Sequence, residues 1–368
     1  MEQLRLIKMD YNYADFSTSI SPAIEKALEE RKAPSSVVLD VFKGDSFTVG
    51  FLDDPEKSLD LAYCKQEEII VRRRQNTGGA IWGPNGAALI GLYIDTMLPW
   101  VPLKTIKDAF HVTLTSLADA FRELFNINAV YRPLNDVEVE GRKLVPTSAR
   151  LEKNILTMRL LVNVAPTNRD IMAKAIRTPI EKMQDKKIKD VGARFTCLET
   201  EVGRKLAYVE LVQVTNRTIK KIFGEEIELI SGNLTELEKK YAEEFQKQYT
   251  SDEWFYANSE SMRFKNLPKD AGKRYGIHKA PAGLIRVTLL IYQNRIYDLI
   301  ITGDFHPTPY QVLRDMENAL RGKECNIEIV QNEIEQIFKR PDVEIAGTEI
   351  QDFVKAFTGA FREVSNTV

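Results

Sequence analysis

Residues 71–86 read Val71-Arg72-Arg73-Arg74-Gln75-Asn76-Thr77-Gly78-Gly79-Ala80-Ile81-Trp82-Gly83-Pro84-Asn85-Gly86. An apolar strand ends here in arginines, passes through paired glycines and leads into a second apolar run at 87–94. The dinucleotide fingerprint and the P-loop both need a helix after the glycines, so neither motif is present. Glycines let a ligand approach backbone amides, and arginines supply fixed positive charge, which together indicate an anionic ligand such as a phosphate or carboxylate. The alternative is a hairpin turn beside a solvated basic strand end.

Composition is that of a soluble globular protein, with 43% hydrophobic and 28% charged residues. The 368 residues favour two domains, and a net charge of −2 predicts no broad basic surface for nucleic acid. Three scattered cysteines, no signal-peptide character and no long apolar run predict a cytoplasmic protein. The three histidines are not paired at a ligand spacing, so no zinc site is predicted.

Hydrophobic periodicity predicts alternating strands and helices before residue 231. Residues 36–42 are rich in β-branched side chains and predict a buried strand, with 46–51 as its hairpin partner. Apolar side chains three and four residues apart predict a long helix over 103–125. Alternation on both sides of Glu140-Gly141 predicts a second hairpin. The other predicted elements are strands 3–8, 87–94 and 156–164 and helices 13–31, 54–68, 168–176 and 179–187.

Ser231-Gly232-Asn233 is the best linker candidate, which predicts domains at 1–232 and 233–368. The second domain opens with a connecting helix, 233–250, and contains a hairpin around Gln293-Asn294-Arg295. Helices are also predicted near 309–320 and 348–361. The predicted fold class is α+β, with a mixed sheet packed on helices followed by a smaller α+β domain.

Three stretches resemble motifs of the lipoate–protein ligase family, in the family's order. The first motif, Arg-Arg-x-Ser-Gly-Gly-Gly-Ala-Val-aromatic-His-Asp, aligns without gaps on residues 73–84. The second, Asn-Asp-Leu with Gly-Arg-Lys-Ile-Ser-Gly-Ser-Ala, is similar to Asn135-Asp136-Val137, Gly141-Arg142-Lys143-Leu144 and, after a one-residue insertion, Ser148-Ala149. A lysine-rich segment ending Ser-Val-x-x-Arg-Val resembles residues 190–195. Glu253-Trp254-Phe255-Tyr256 and Gly303-Asp304-Phe305 resemble the family's accessory domain.

The resemblance implies a catalytic domain of the biotin/lipoate protein ligase type with a C-terminal accessory domain. Members of the family activate lipoate with ATP and Mg²⁺ to lipoyl-adenylate and transfer the lipoyl group to a lysine of a carrier. The implied partners are therefore a small acid, lipoate or octanoate, and a carrier such as a lipoyl domain or a glycine-cleavage H-type protein. Neither nucleic acid nor a membrane is expected as a partner.

The motif match assigns provisional roles. Lys143 would bridge the carboxylate and the α-phosphate as the catalytic residue, although an exposed strand lysine is the plain alternative. Arg73 and Arg74 would contact the carboxylate or phosphate or hold the loop, and Asp136 would bind magnesium. Further binding residues are Asn76, Thr77, Gly78, Gly79, Ala80, Gly86, Asn135, Ser148 and Ala149. Ile81, Leu89 and Gly91 would line an apolar tunnel for an eight-carbon chain.

Several positions depart from the family pattern. Asn76 and Thr77 replace its serine and first glycine, and Gly83-Pro84 replace its His-Asp pair. The family's Ser-Gly falls near Pro146, and its His-Gly-Thr falls on 157–159. Because Thr77 has a Cβ, the loop cannot keep the family's path if φ is positive there. These changes leave open the acyl substrate, the nucleotide contacts and activity itself.

Three functions therefore compete. The first is an ATP-dependent lipoate–protein ligase. The second is an octanoyl or lipoyl transferase without ATP, which needs a nucleophilic cysteine or an activated lysine, whereas Cys64 and Cys197 have no visible base partner. The third is a non-catalytic module that binds a lipoyl-type ligand or a lipoylated protein. A biotin ligase is similar only at the level of the fold.

Overall fold

The computed structural model describes residues 2–177, 194–265 and 268–362. Its strands are β1 (Gln3–Met9), β2 (Ser36–Val41), β3 (Ser46–Val49), β4 (Ile70–Arg73), β5 (Ile81–Gly83), β6 (Ala88–Asp95), β7 (Ala129–Arg132), β8 (Asp136–Val139), β9 (Arg142–Glu152), β10 (Ile155–Val162), β11 (Glu228–Gly232), β12 (Gly272–Lys279), β13 (Leu284–Tyr292), β14 (Arg295–Gly303), β15 (His306–Thr308) and β16 (Glu344–Ala346).

The described helices begin with α1, a continuous helical segment made of Tyr13–Asp15, a π-helical turn Phe16–Ile20, and Ser21–Glu29. The others are α2 (Pro55–Ser58), α3 (Leu61–Gln66), α4 (Ile106–Phe125), α5 (Arg169–Ala175), α6 (Leu198–Val202), α7 (Tyr208–Phe223), α8 (Glu236–Tyr249), α9 (Asp252–Phe255), α10 (Glu260–Arg263), α11 (Val312–Leu320), α12 (Ile327–Phe338) and α13 (Ile350–Arg362). The helix predicted at 179–187 lies outside the described residues.

The main sheet has the strand order β11-β1-β2-β6-β10-β9-β8-β7 within the described chain. β1 pairs in parallel with β2 and β11, and the other neighbours are antiparallel. Because side chains alternate along a strand, Leu39 and Ile90 join the core beneath α4, whereas Val38 and Leu89 join a second core beneath α1. The predicted α+β class with a mixed sheet on helices is confirmed.

The predicted hairpin of 36–42 with 46–51 is wrong. β2 already has β1 and β6 as neighbours, so both of its edges are paired. β3 instead belongs to a separate small sheet of order β4-β3-β5, parallel to β4 and antiparallel to β5. This small sheet carries both ends of the glycine loop.

The predicted helix 54–68 is two short helices. Leu59 has the extended conformation, with φ −131° and ψ 150°, and forms an isolated bridge with Ile176. The Asp60 side chain then accepts from the Tyr63 amide and starts α3 as an N-cap. A buried leucine in a bridge thus breaks a helix that periodicity alone would continue.

A smaller unit follows, with a three-stranded sheet β12-β13-β14 and a two-stranded sheet β15-β16. The predicted hairpin is confirmed as β13 and β14, and Gln293 and Asn294 have positive φ at its turn. β12, β16 and α12 were not predicted, although Val330, Ile334 and Ile337 of α12 have helical spacing and are buried. α13 packs across β12 and β13.

The position of α8 bears on the domain boundary. This helix packs against α1, and its Tyr241 and Phe245 contact the core beneath that helix. Arg5 of β1 also pairs with Glu238 at 2.5 Å. The boundary predicted after residue 232 stays a prediction, and this packing leads us to propose a division nearer residue 256. In the described part of the chain, none of the helices has the length and apolar character required to cross a bilayer.

Candidate active site

The glycine loop is held from behind by Arg74. This arginine is fully buried, and its Nη2 donates to the carbonyl oxygens of Thr77 at 3.0 Å and Gly79 at 2.8 Å. Its Nη1 donates to both the carbonyl oxygen and the hydroxyl of Thr48, each at 3.1 Å. Burial lowers the pKa of the guanidinium to about 10, so the group stays cationic at neutral pH. The loop is therefore built around a fixed positive charge.

The glycine loop packs so closely on Gly50 that a side chain at position 50 would clash with it. Gly78 has φ +96°, while Thr77 is absent from the positive-φ residues of the described chain. A Cβ on Gly50 would lie 1.7 Å from the Gly78 carbonyl oxygen. The loop thus accommodates Thr77 in an ordinary conformation and takes its left-handed turn one residue later.

The change of the family's histidine to Gly83 has a steric reason. A Cβ on Gly83 would lie 2.6 Å from the Tyr13 Cβ and 2.7 Å from its ring. Tyr13 is fully buried and stacks on Phe42 with ring centroids 5.0 Å apart. The tyrosine occupies the space that a side chain at position 83 would need.

Lys143 lies near the start of β9, on the hairpin predicted from sequence. Its Nζ is 2.7 Å from Asp136 Oδ2, and its side chain is 25% exposed. Asp136 Oδ1 is buried and has no hydrogen-bond partner among the described residues. A register shift between Val137 and Glu138 places a β-bulge beside this pair. One carboxylate oxygen of Asp136 therefore holds the lysine, and the other has no hydrogen-bond partner among the described residues.

A cavity of about 550 Å³ joins the loop to this hairpin. Of the predicted site residues, those that line it are Arg74, Gly78, Gly79, Ala80, Asn135, Asp136 and Lys143. Apolar walls come from residues such as Ile81, Trp82 and Met172. The smaller unit closes one side with residues 279–283 and Asp304. Two motifs about 60 residues apart thus meet at one cavity.

The remaining predicted residues lie outside the cavity lining. Arg73 points away and donates to the carbonyl oxygens of Phe51 at 2.6 Å and Phe255 at 2.9 Å, fastening the loop to the following segment. Gly86 lies in the β5–β6 turn with φ +79°. Asn76 and Thr77 of the loop and Ser148 and Ala149 of β9 are buried. The binding roles of these residues stay predictions.

The predicted apolar tunnel differs from the structure. Ile81 lines the cavity, whereas Leu89 and Gly91 do not and are buried in the sheet. The Tyr93 ring lies over Gly91, because a Cβ there would be 3.1 Å from Tyr93 Cε2. Leu89 and Tyr93 belong to the hydrophobic core beneath α1.

His306 is a site residue that sequence reasoning missed. It is 1% exposed, and its Nδ1 lies 2.8 Å from the Thr77 hydroxyl. That hydroxyl donates to the Ala149 carbonyl oxygen at 3.1 Å, so the pair is completed by an Nδ1–H donating to Thr77. The only sequence signal was its position after Gly303-Asp304-Phe305. The smaller unit is thereby bonded to the glycine loop.

The buried imidazole predicts a pH dependence of stability. Burial and then Arg74 lower the pKa of His306 from 6.5 to about 4. Between pH 6.5 and about 4, His306 is protonated in the unfolded chain and neutral in the folded chain. The free energy of unfolding therefore falls as pH decreases from 6.5 towards 4. Relative to His306→Gln, the wild type should lose about 3 kcal/mol of unfolding free energy between pH 7 and pH 4.

Urea denaturation of both proteins at several pH values measures this difference. Subtracting one pH profile from the other removes the contribution of the other titrating groups to stability. His111→Gln is the control, because His111 is solvent-exposed. A constant difference between wild type and His306→Gln across this range would contradict the assignment.

No cluster of three or more His, Cys, Asp or Glu side chains suited to a metal occurs in the described residues. Asp136, with its unpartnered buried Oδ1, remains the predicted metal ligand. One carboxylate suffices for Mg²⁺ when substrate phosphates supply further oxygens. The donor set fits a metal that arrives with a nucleotide.

Residues 22–220 match the family model described as the lipoyl protein ligase A/B catalytic domain. Lipoate–protein ligase 2 of Staphylococcus aureus is 24% identical over 280 residues, which cover 75% of this chain and 76% of that protein. Octanoyltransferase LipM of Geobacillus kaustophilus is 21% identical over 277 residues, covering 69% of this chain and 98% of the relative.

Solved structures share the fold. LipL1 of P. falciparum in complex with lipoate superposes with a TM-score of 0.66 at 14% identity, covering 93% of this chain and 95% of that one. Lipoate–protein ligase A bound with ATP gives a TM-score of 0.55 at 19% identity, over 70% of this chain and 99% of the other. The similarity extends through the smaller unit in the first case, as the coverage shows.

Proposed function

Because the chain belongs to the lipoyl protein ligase A/B family, we propose that it activates a carboxylic acid of the lipoate or octanoate class with ATP. The acyl group then passes from the adenylate to a lysine of a carrier protein, with a lipoyl domain as the expected carrier. The observation that carries this proposal is the Lys143–Asp136 pair, which faces the arginine-held glycine loop across one cavity.

Adenylation joins a substrate carboxylate oxygen to the α-phosphorus while the bond to pyrophosphate breaks. Negative charge accumulates on the α-phosphate oxygens, so a fixed cation beside them lowers the barrier. Lys143 is that cation in our proposal, because Asp136 orients its ammonium without removing it from the cavity. Gly78 and Gly79 line the same cavity.

Mg²⁺ is part of this proposal. Asp136 would hold it through Oδ1, and the ion would neutralise charge on the nucleotide phosphates when bound. The carboxylate would then have one oxygen on Lys143 and the other on the metal.

The smaller unit has a role in protecting the adenylate. Asp304 and residues 279–283 of the smaller unit line the same cavity as Lys143. A Cβ on Gly79 would lie 3.1 Å from the Asp304 Cβ, so the two units meet closely at the loop. Such a cover excludes water, which would otherwise hydrolyse a mixed anhydride before the carrier lysine attacks.

A second candidate is an acyltransferase that works without ATP. It is favoured by the similarity to an octanoyltransferase and by Cys197, which lines the cavity. The Cys197 thiol lies 3.0 Å from the Thr200 hydroxyl, which is a poor general base. Burial raises the pKa of the other early cysteine, Cys64, to about 11, which makes it an inert thiol.

Cys197→Ala separates the two candidates. Under the ligase mechanism no covalent enzyme intermediate forms, so the variant should retain ATP-dependent acyl transfer within about twofold of wild type. Cys325→Ala is the control for general effects of thiol removal. Loss of turnover in Cys197→Ala alone, together with octanoyl transfer in the absence of ATP, would establish the second candidate.

Intact-mass measurement of a carrier tests the whole proposal. Purified lipoyl domain is incubated with the protein, Mg²⁺ and lipoate, with and without ATP. A mass increase of one lipoyl group that requires ATP and is absent when the carrier lysine is replaced supports the ligase. An unmodified carrier in the presence of every component would contradict it for this carrier and acid.

A further inference from the structure

The turn that joins β12 to β13 in the smaller unit is held by its own backbone. The Ala280 amide donates to the Gly283 carbonyl oxygen at 2.9 Å, and the Gly283 amide donates to the Ala280 carbonyl oxygen at 3.2 Å. The Ala282 amide donates to the Gly347 carbonyl oxygen at 3.0 Å, which ties the turn to the rest of the unit. Ala280 is buried in the core of that unit. Lys279, the last residue of β12, therefore extends from a backbone with a fixed position.

Asp304 connects this turn to the glycine loop. A Cβ on Gly283 would lie 2.3 Å from Asp304 Oδ1, so the turn packs directly on the carboxylate. The same oxygen accepts a hydrogen bond from the Leu284 amide. A Cβ on Gly79 would lie 3.2 Å from Asp304 Oδ2, so the second carboxylate oxygen faces the loop. The turn that carries Lys279 is thereby placed at the cavity that the glycine loop lines.

Cationic side chains outnumber carboxylates in the described lining of this cavity. The cations are Arg74, Arg132, Lys143 and Lys279, and the carboxylates are Asp136 and Asp304. A cleft lined mainly by one sign of charge concentrates ligands of the opposite sign. The cavity therefore favours an anion with several charges, as a nucleotide triphosphate has.

Lys279 is the cation that the smaller unit contributes to this lining. The side chain is half-buried, and its Nζ donates to the Ala280 carbonyl oxygen at 2.8 Å. A carbonyl oxygen is a neutral acceptor, so this bond orients the ammonium without neutralising its charge. Lys143 lines the same cavity from the larger unit. Lys279 lies outside every stretch that resembles a motif of the family. The cavity thus has one lysine from each unit.

We propose that Lys279 binds the β- and γ-phosphates of ATP from the smaller unit, while Lys143 faces the α-phosphate. The inference rests on the proposed function. A lysine ammonium binds phosphate oxygens as a compact point charge. When the acid attacks, the bond between the α-phosphorus and the bridging oxygen breaks, and its electrons leave with pyrophosphate. Lys279 stabilises the charge on that leaving group, and the bound nucleotide contacts both units.

Calorimetric titration with two nucleotides tests this assignment. The probes are α,β-methylene-ATP, which cannot release pyrophosphate, and AMP, which lacks the β- and γ-phosphates, both with Mg²⁺. Lys279→Ala should weaken binding of the ATP analogue about tenfold and leave the affinity for AMP within about twofold of wild type. Lys279→Arg, which keeps the charge, should retain most of the affinity for the analogue. Lys323→Ala is the control, because Lys323 pairs with Glu333 within the smaller unit and lies outside the described cavity lining.

Pyrophosphate release measured against each substrate gives a second readout. Lys279→Ala should raise the KM for ATP about tenfold and leave the KM for the acid unchanged, because the acid does not contact the lysine. A lysine that only supports the turn would change both constants together or neither of them. Thermal unfolding establishes that the variants are folded.

The outcomes distinguish this inference from the function it rests on. Equal weakening of the analogue and AMP in Lys279→Ala, or no weakening of either, would overturn the inference even if the wild type activates an acid. A wild type that does not bind the analogue would overturn it as well. If the wild type binds the analogue through Lys279 but no acid supports pyrophosphate release, the ligase function fails while Lys279 stands as a phosphate ligand.

Discussion

Lys143→Ala should lower acid-dependent pyrophosphate release by about 10³-fold while leaving the fold intact. The substitution removes the cation that faces the loop and leaves Asp136 as an unpaired carboxylate beside the nucleotide phosphates. Since the lysine is a quarter exposed and lies at the cavity rather than in the core, its loss creates no large void. Single-turnover assays with excess enzyme measure the chemical step directly.

Lys153→Ala is the matched control, because this lysine lies on the turn after the same strand and pairs with Glu29 at the surface. Surface pairs of this kind contribute little, so the control should behave as wild type. Thermal unfolding of both variants establishes that they are folded. Full turnover in Lys143→Ala would show that the lysine is not catalytic. Arg74 would then be the candidate for the cation in the cavity.

Arg74→Lys should reduce activity by about 10²-fold although the charge is conserved. The guanidinium makes four hydrogen bonds, and two of them hold the carbonyl oxygens of Thr77 and Gly79. A lysine ammonium lacks the planar fork and cannot bridge Thr48 and the loop together. The glycines would then move away from the substrate, and stability should fall by about 2 kcal/mol.

Arg72→Lys is the neighbouring control, since Arg72 is half-buried on the same strand and donates to the Val71 carbonyl oxygen. Kinetic assays on both variants measure the effect on activity, and urea denaturation measures the effect on stability. We expect kcat to decrease in Arg74→Lys, with little change in the control. Unchanged kcat in Arg74→Lys would mean that the loop keeps its position without the fork.

Much of the catalytic unit could be predicted because its signals are local. The strand–loop–strand around Gly78 and the hairpin turn at Glu140-Gly141 depend on short-range turn chemistry, and the structure confirms both. The motif resemblance assigned Lys143 and the glycine loop to one site, and the structure brings both to the same cavity, while their roles stay predictions. Family membership and fold class followed from the same residues.

The parts that were missed depend on long-range contacts. The short sequence of β3 is compatible with pairing to many strands. It does not pair with β2 because β1 and β6 already occupy both edges of that strand. His306 contacts Thr77 across 229 residues, which no spacing rule reveals.

Release of pyrophosphate from ATP by the purified protein, with and without a carboxylic acid and in the absence of any carrier, tests adenylate formation most directly. The account predicts release that depends on the acid, saturates with it and disappears in Lys143→Ala. Release that is equal with and without lipoate or octanoate, or no release from a folded protein, would contradict the proposal that this cavity forms an acyl-adenylate.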